Sequence, residues 1–314
     1  MPEIVAIGEC LIELFSDEPI GTASRFHKSY AGDTCNAILM ASRLGTSCGY
    51  VTRMGEDPFT DYLLGELAGL DVDTSRVKRV DGFNGVHFIS LLPNSDREFI
   101  FYRKGSAAST MVPGDLDEQY IASARVLHVS AILQATSPTA RETVLEAAKM
   151  ARRLGVTVSY DTNLRLNMWP VEEARAALDD ILPYVDVLFP SHPSETGALF
   201  GLDSVQAAIE FFLERGVDTV AVKCGGDGSW VATSEHIARV PAIAPRGVSD
   251  TTGAGDAFAA GVLHGIVHGW GPFEGARWGA ASAGLKVGGR GAIGSQPSRE
   301  AVEALVGSVE LVWQ

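Results

Sequence analysis

Hydrophobic and polar positions along the chain follow two alternating rhythms. Short β-branched runs, "EIVAIGE", "CGYVTRM", "ARVLHVSAI", "GVTVSYDTN", "VDVLFPS" and "DTVAVKCGG", are almost continuously apolar, the character of strands covered on both faces. Helical periodicity stands between them. The stretch "SPTARETVLEAAKMARRLG" (137–155) has Ser137 at the cap, apolar residues at helical spacing and Gly155 as a stop, and "VEEARAALDDILPYV" repeats the theme. This alternation predicts βαβ units, hence an α/β fold in which helices sandwich a mostly parallel sheet. One region breaks the rhythm: "GVHFISLLP" (85–93) and "REFIFYR" (97–103) read as strands joined by "NSD", a β-hairpin. A hairpin cannot bury both its faces alone. With "LIELFS" and "RFHKSY" it is expected to form a small sheet standing off the main body, either a lid or a cover for the core edge. No repeat or flexible linker divides the chain, so one domain, 1–314, is expected, with lid segments at about 11–30 and 84–104.

Composition narrows this picture. With 314 residues and 46% hydrophobic content the chain can bury a sizeable core. No run of about 18 apolar residues appears, and "MPEIVAIGECLIELF" lacks the marks of a signal peptide, so a soluble, cytoplasmic protein with no membrane partner is expected. Cys10, Cys35, Cys48 and Cys224 are scattered and read as reduced thiols. The net charge of −14 argues against a nucleic-acid partner or an anionic membrane surface. An anionic ligand would need local Arg or Lys side chains, backbone N–H groups or a bound cation to overcome that field.

Ligands of open parallel sheets collect beyond the carboxyl ends of the strands, and those positions are polar here. "YDTNLR" supplies Asp161, Asn163 and Arg165; "FPSHPSE" supplies Ser191, His192 and Glu195; "VKCGGDGS" supplies Lys223, Gly225 and Gly228. Together they offer a guanidinium for a carboxylate or phosphate, a carboxylate for a hydrated metal and two Gly-rich turns. A second cluster joins "AGDTCNA", where Asp33 and Asn36 suit sugar hydroxyls or cap a helix, to "FYRKGSAAS", where Arg103 and Lys104 suit an anionic group. Strand alternation puts Phe101 and Arg103 on one face.

The stretch "SDTTGAGDAFAAG" (249–261) admits two readings: a helix N-terminus capped by Thr252 or Asp250, or an anion cradle of Gly253, Ala254 and Gly255 backed by a helix dipole. Asp256 behind such a cradle could take a proton from a hydroxyl attacking a phosphate. His264 and His268 in "HGIVH" lack the Glu of a zincin and read as structural; Phe258 spoils a dinucleotide fingerprint; no P-loop is present.

These residues resemble the ribokinase-like (PfkB) family of sugar kinases, from "IVAIGECLIEL" to "GGRGAIGSQPSREAV". "DTTGAGDAFAAG" carries the closest likeness, supported by "AGDTCNA", with Ala31 in place of a glycine, and by "RMGEDPFTDYLLGEL". The resemblance implies a ribokinase-like three-layer α/β/α domain with a β-sheet lid, ATP and Mg²⁺ as cofactors, and a small sugar or sugar acid as substrate. It makes Gly253, Ala254 and Gly255 the anion hole for the γ-phosphate and Asp256 the base. Gly32, Asp33, Asn36, His87, Phe101, Arg103 and Arg165 are implied at the sugar, and Asn163, Ser191, Lys223, Gly225, Gly226 and Gly228 at the nucleotide. The resemblance also implies that Glu195 bears on Mg²⁺ through water, and Asp250 and Thr252, by analogy, on a monovalent cation such as K⁺. The tail "AASAGLKVGGRGA" resembles the segment closing over adenine. Within the family the chain looks most like 2-keto-3-deoxygluconate kinases, with fructokinases or other neutral-sugar kinases as the rival and a non-catalytic sugar or nucleotide sensor as the alternative of another class. His87 and Phe101 stand where those kinases usually carry tyrosines, and His192 where Asn is usual. An exposed face on the small sheet would suit a homo-oligomer.

Overall fold

The computed structural model describes residues 1–91 and 97–314; the "NSD" turn lies outside them. The strands are β1 (Ile4–Ile7), β2 (Leu11–Ser16), β3 (His27–Ala31), β4 (Cys48–Gly55), β5 (Asp73–Val80), β6 (Val86–Leu91), β7 (Arg97–Tyr102), β8 (Val126–Ser130), β9 (Thr157–Asp161), β10 (Val187–Phe189), β11 (Thr219–Lys223), β12 (Ser229–Ala232), β13 (Ile237–Val240) and β14 (Val312–Trp313). The main sheet runs β14-β13-β12-β11-β10-β9-β8-β1-β4-β5, parallel from β5 to β11 and antiparallel beyond. The parallel part matches the sequence pattern. The antiparallel extension and β5, whose "DTSRVKRV" is charged and half-exposed, do not announce themselves as apolar runs.

Helices cover both faces of this sheet, giving three layers. In β1, Ile4 and Ala6 point into one core and Val5 and Ile7 into the other, all fully buried. Both faces are therefore dry, which is why the parallel strands read as unbroken hydrophobic runs. Truncating Ile4 or Ile7 to Ala would cost about 2–5 kcal/mol through lost transfer energy and the cavity left behind. The expected helix after Ser137 is Pro138–Arg153, and the Ser137 hydroxyl accepts from the Ala140 amide at 3.1 Å. Near the C-terminus, helices Ala254–Val267 and Gly271–Lys286 press together through Gly261, Gly265, Gly275 and Gly279, where any added Cβ would meet opposing backbone.

Beyond β1 the chain leaves the main sheet to build a second one, ordered β3-β2-β6-β7, in which β2 and β6 are parallel and the other pairs antiparallel. It then returns through helix Asp33–Arg43 to β4 on one side of β1, whereas β8 to β11 lie on the other side. The strand order thus reverses at β1, and a crevice opens above the carboxyl ends there. The small sheet stands over that crevice.

Candidate active site

Residues separated by more than two hundred positions meet at this crevice. Asn36, in the first turns of its helix, donates from Nδ2 to the Asp256 carboxylate at 2.7 Å. Asn163 donates from Nδ2 to Asp33 at 3.1 Å, and its own amide donates to Asp161 at 3.1 Å, which holds it at a φ of 24°. Both Asp161 oxygens accept from the Lys223 ammonium, at 2.7 and 2.8 Å. Helix Asp33–Arg43 starts at Gly32 with no side-chain cap, so Asp33 and Asn36 are released from capping to face the cleft. Gly32 is required because a Cβ there would collide with the Glu9 carbonyl.

Helix Ala254–Val267 likewise has no side-chain cap: Asp250 accepts from the Thr252 amide and hydroxyl at 2.9 and 2.7 Å, outside the helix. The Ala254 amide donates to the Thr251 carbonyl at 3.1 Å and the Ala257 amide to Gly253 at 3.0 Å. Ala254, expected among the cradle's donors, therefore spends its N–H within the turn. The amides of Gly253, Gly255 and Asp256 have no acceptor among the described residues. Gly253 takes a φ of 77°, and a Cβ there would stand 3.1 Å from Ala292. A Cβ on Gly255 would lie 3.5 Å from the Lys223 ammonium, so a lysine flanks the open amides. Open N–H groups at a helix head beside an ammonium are the chemistry an anion site requires.

Asp256 is pushed up to about 7 by its enclosure in protein and by the neighbouring Asp33 and Asp161, against the Asn36 hydrogen bond and Lys223, which favour the charge. Burial works against the Lys223 ammonium, but Asp161 and Glu195 outweigh it and hold the group above the ordinary lysine value. A carboxylate poised near neutrality next to an anion site can accept a proton during attack on a phosphate.

At the other end of the crevice the small sheet contributes an aligned row: Glu13 is in register with His87, and His87 with Phe101. His87 Nε2 lies 2.9 Å from Glu13, and the Arg103 guanidinium sits 4.5 Å above the Phe101 ring and donates to Glu9 at 2.6 Å. Glu9 is raised by burial, which outweighs Arg103. Glu9, Glu13, Asp33, Asn36, His87 and Arg103 each keep a buried polar atom with no hydrogen-bond partner among the described residues. Orphaned donors and acceptors at such density call for a ligand rich in hydroxyls or carbonyls.

The remaining expected residues divide. Glu195 is buried and braced: it accepts from the Ser191 amide at 2.7 Å, the Leu164 amide at 2.8 Å and the Thr162 hydroxyl, tying together the loops after β9 and β10. Gly225 and Gly226 lie exposed in the turn before β12, followed by Gly228. Arg165 is not brought into the pocket; it is exposed, donating to the Leu164 carbonyl at 3.0 Å. Asp250 and Thr252 sit behind the cradle. The tail borders a hollow of about 450 Å³ lined by Arg246, Gly288, Arg290 and Gln296, whereas a larger one, about 580 Å³, lies at the opposite end of the sheet beside Thr157, Val187 and Thr219.

Glu9, Glu13 and His128 escaped the sequence reading. Glu9 and Glu13 are carboxylates inside the apolar run "GECLIELF", four residues apart and so on one face of an extended chain, and that anomaly is the available signal. His128, within β8, donates to or accepts from Ser159 at 2.9 Å, and burial lowers it despite Asp161 and Asp33.

The pfkB family carbohydrate kinase model matches residues 1–299. A 2-dehydro-3-deoxygluconokinase of Thermoproteus tenax is 35% identical, covering 97% of this chain and 94% of its own. A probable fructokinase-7 of Arabidopsis thaliana is 31% identical, over 97% and 92%. A putative Ribokinase II from E. coli, solved in complex with ATP and Mg²⁺, superposes with a TM-score of 0.90 at 26% identity, covering 98% of this chain and all of that one. The chain belongs to the pfkB family of carbohydrate kinases and has its ribokinase-like fold. It is a sugar kinase. Among the described residues no helix is long and apolar enough to cross a membrane, and all four cysteines are free.

Proposed function

We propose that the protein phosphorylates a small sugar acid on a primary hydroxyl with ATP, 2-keto-3-deoxygluconate (2-dehydro-3-deoxygluconate) giving its 6-phosphate. The observation that carries the reading is the group Glu9, Glu13, Asp33, Asn36, His87 and Arg103, each with a buried polar atom that has no hydrogen-bond partner among the described residues, with Asn36 held on Asp256. The small sheet closes over the sugar as a lid. Asp256 takes the hydroxyl proton; the oxygen bonds to the γ-phosphorus in line while the bond to the bridging oxygen of ADP breaks. The amides of Gly253, Gly255 and Asp256 and the Lys223 ammonium stabilise the charge on the transferring group.

Among the described residues no set of three His, Cys, Asp or Glu could hold a metal by itself, which suits Mg²⁺, an ion that keeps its waters and binds mainly through phosphates. The unpartnered Asp33 oxygen and the braced Glu195 are the carboxylates that would face such a hydrated ion, which when bound would neutralise phosphate charge. The nucleotide would lie along Ser191, Lys223, Gly225, Gly226 and Gly228, with its base toward the tail.

A second reading, a neutral-sugar kinase such as a fructokinase, is favoured by two observations: the Arg103 charge is already held by Glu9, and Arg165 points to solvent. Comparing kcat/KM for 2-keto-3-deoxygluconate, its galactose-derived epimer and fructose tests this. A preference for the acids supports the first reading; equal or better use of fructose overturns it. β7 is a sheet edge exposing Phe99, Ile100 and Tyr102, a surface on which a second copy would pair.

A further inference from the structure

A monovalent cation behind the anion cradle would need the oxygens of Asp250, and the chain has already used them. Asp250 Oδ1 accepts from the Thr252 amide and hydroxyl, and Oδ2 accepts from the Gly291 amide at 2.9 Å. Its main-chain carbonyl accepts from the ammonium of Lys286 at 2.8 Å. Lys286 ends helix Gly271–Lys286 yet is fully buried, an unusual place for a flexible cation on the last turn of a helix. A buried ammonium carries a large desolvation cost unless it meets acceptors, so its location there is specific.

The surroundings fix that charge relative to the cradle. Ser249 and Asp250 both donate to the Val287 carbonyl, at 2.7 and 3.1 Å, which zips the segment before the cradle to the residue after Lys286. Gly253 packs on Ala292 in the same returning segment. The Asp250 carboxyl is held below the ordinary carboxylate range, so it stays ionised: burial opposes this, but the Thr252 donors, Lys286 and the Gly291 amide prevail. An ammonium held on Asp250 orders the loop before the cradle and offsets the Asp250 carboxylate, whose negative charge would otherwise oppose an incoming phosphoryl group.

We propose that the Lys286 ammonium takes, as part of the chain, the place that a monovalent cation would occupy behind the phosphoryl-binding loop, so that this kinase works without added K⁺. The proposal rests on the cradle binding phosphate, and not on which sugar is the substrate. Lys286 is a positioning residue; it acts through Asp250 and the loop.

The test titrates KCl, NaCl and NH₄Cl against choline chloride at constant ionic strength. For the wild type, the ADP-release rate is expected to change by less than about twofold, and the melting temperature to be the same in KCl as in choline chloride. Activation by K⁺ of about fivefold or more overturns the proposal. Lys286→Met is expected to lose about tenfold or more in kcat, and to regain rate and melting temperature selectively with K⁺ or NH₄⁺. A folded Lys286→Met that keeps full activity in choline chloride, or that no cation rescues, also overturns it. If that variant does not fold, Lys286→Arg, which keeps the charge, and the wild-type titration decide the matter. The melting-temperature arm reads the site even if no sugar in the panel is turned over, which separates failure of this proposal from failure of the substrate assignment.

Discussion

At the proposed phosphoryl end of the crevice the chemistry would come from one contiguous stretch, 250–256, whereas at the proposed sugar end Glu9, Glu13, His87 and Arg103 arrive on β-strands and loops of two sheets. The first end works through main-chain amides and a helix head, groups that every residue carries and that glycine merely exposes. The second works through side chains already paired with one another, Glu9 with Arg103 and Glu13 with His87, each pair leaving one or more atoms open. A backbone site is insensitive to which sugar enters and can serve many substrates. A pocket of half-satisfied pairs discriminates, because a ligand lacking a partner atom leaves a buried polar group unpaired. Mutations at the two ends should therefore fail differently.

The largest effect is expected at the phosphoryl end. Asp256→Asn keeps shape and the Asn36 contact but removes the base, so kcat should fall by about 10²–10⁴ while ATP and sugar affinities stay within a few-fold. Initial rates by ADP release, with ATP binding by calorimetry, check this; wild-type turnover would remove Asp256 from the mechanism. Next comes Arg103→Gln at the sugar end. If Arg103 reads a substrate carboxylate, kcat/KM for 2-keto-3-deoxygluconate should drop by about 10–100-fold while fructose is used as before, since a charge-assisted hydrogen bond is worth roughly 1.5–3 kcal/mol. An equal loss for both sugars would show that the residue only braces Glu9.

That contrast also explains what the sequence disclosed. "DTTGAGD" is legible because the role proposed for it is local: three small residues, a carboxylate and a helix start lie within one reading window. The parallel strands were legible because burial on both faces makes them uniformly apolar. The sugar end was only half-legible. Arg103 and His87 stand out as polar residues on a strand, but their partners Glu9 and Glu13 lie more than seventy positions earlier, just before and within β2, and spacing along a sequence carries no signal for a contact between β2 and β6. Arg165 shows the converse, a guanidinium placed by sequence at a strand end that the loop turns toward solvent. Lys286 is hidden for a further reason: a lysine in the last turn of a helix is what the helix dipole favours on any exposed helix, and only the fold buries this one against Asp250.

A smaller effect is the pH profile. With Asp256 at about 7, kcat/KM should rise as pH increases from 6 to 8 and level off above, the base being protonated on the acid side. Asp256→Asn should flatten that limb, and a persistent limb of the same midpoint would assign it to another group.

The smallest expected effect is on stability, and its sign separates a catalytic carboxylate from a structural one. Asp256 titrates near 3.8 when unfolded and about 7 when folded, so between those values the folded state binds the extra proton. Stability contributed by this position is therefore intact below pH 4, declines as pH rises through that window, and stays reduced above pH 7. Neutral Asn escapes the loss, so Asp256→Asn should melt higher than the wild type at pH 8, by roughly 1–2 kcal/mol after allowing for the solvent that reaches the cleft, with the gap shrinking toward pH 4. The Asp250 carboxylate behind the cradle predicts the opposite trend. Its folded value is lowered, so its contribution is present above the unfolded pKa and lost as pH falls, and Asp250→Asn should be destabilised most at neutral pH. Thermal melts of both variants from pH 4 to 8 should diverge in opposite directions; parallel curves would mean that the two carboxylates do not differ in the way their surroundings require.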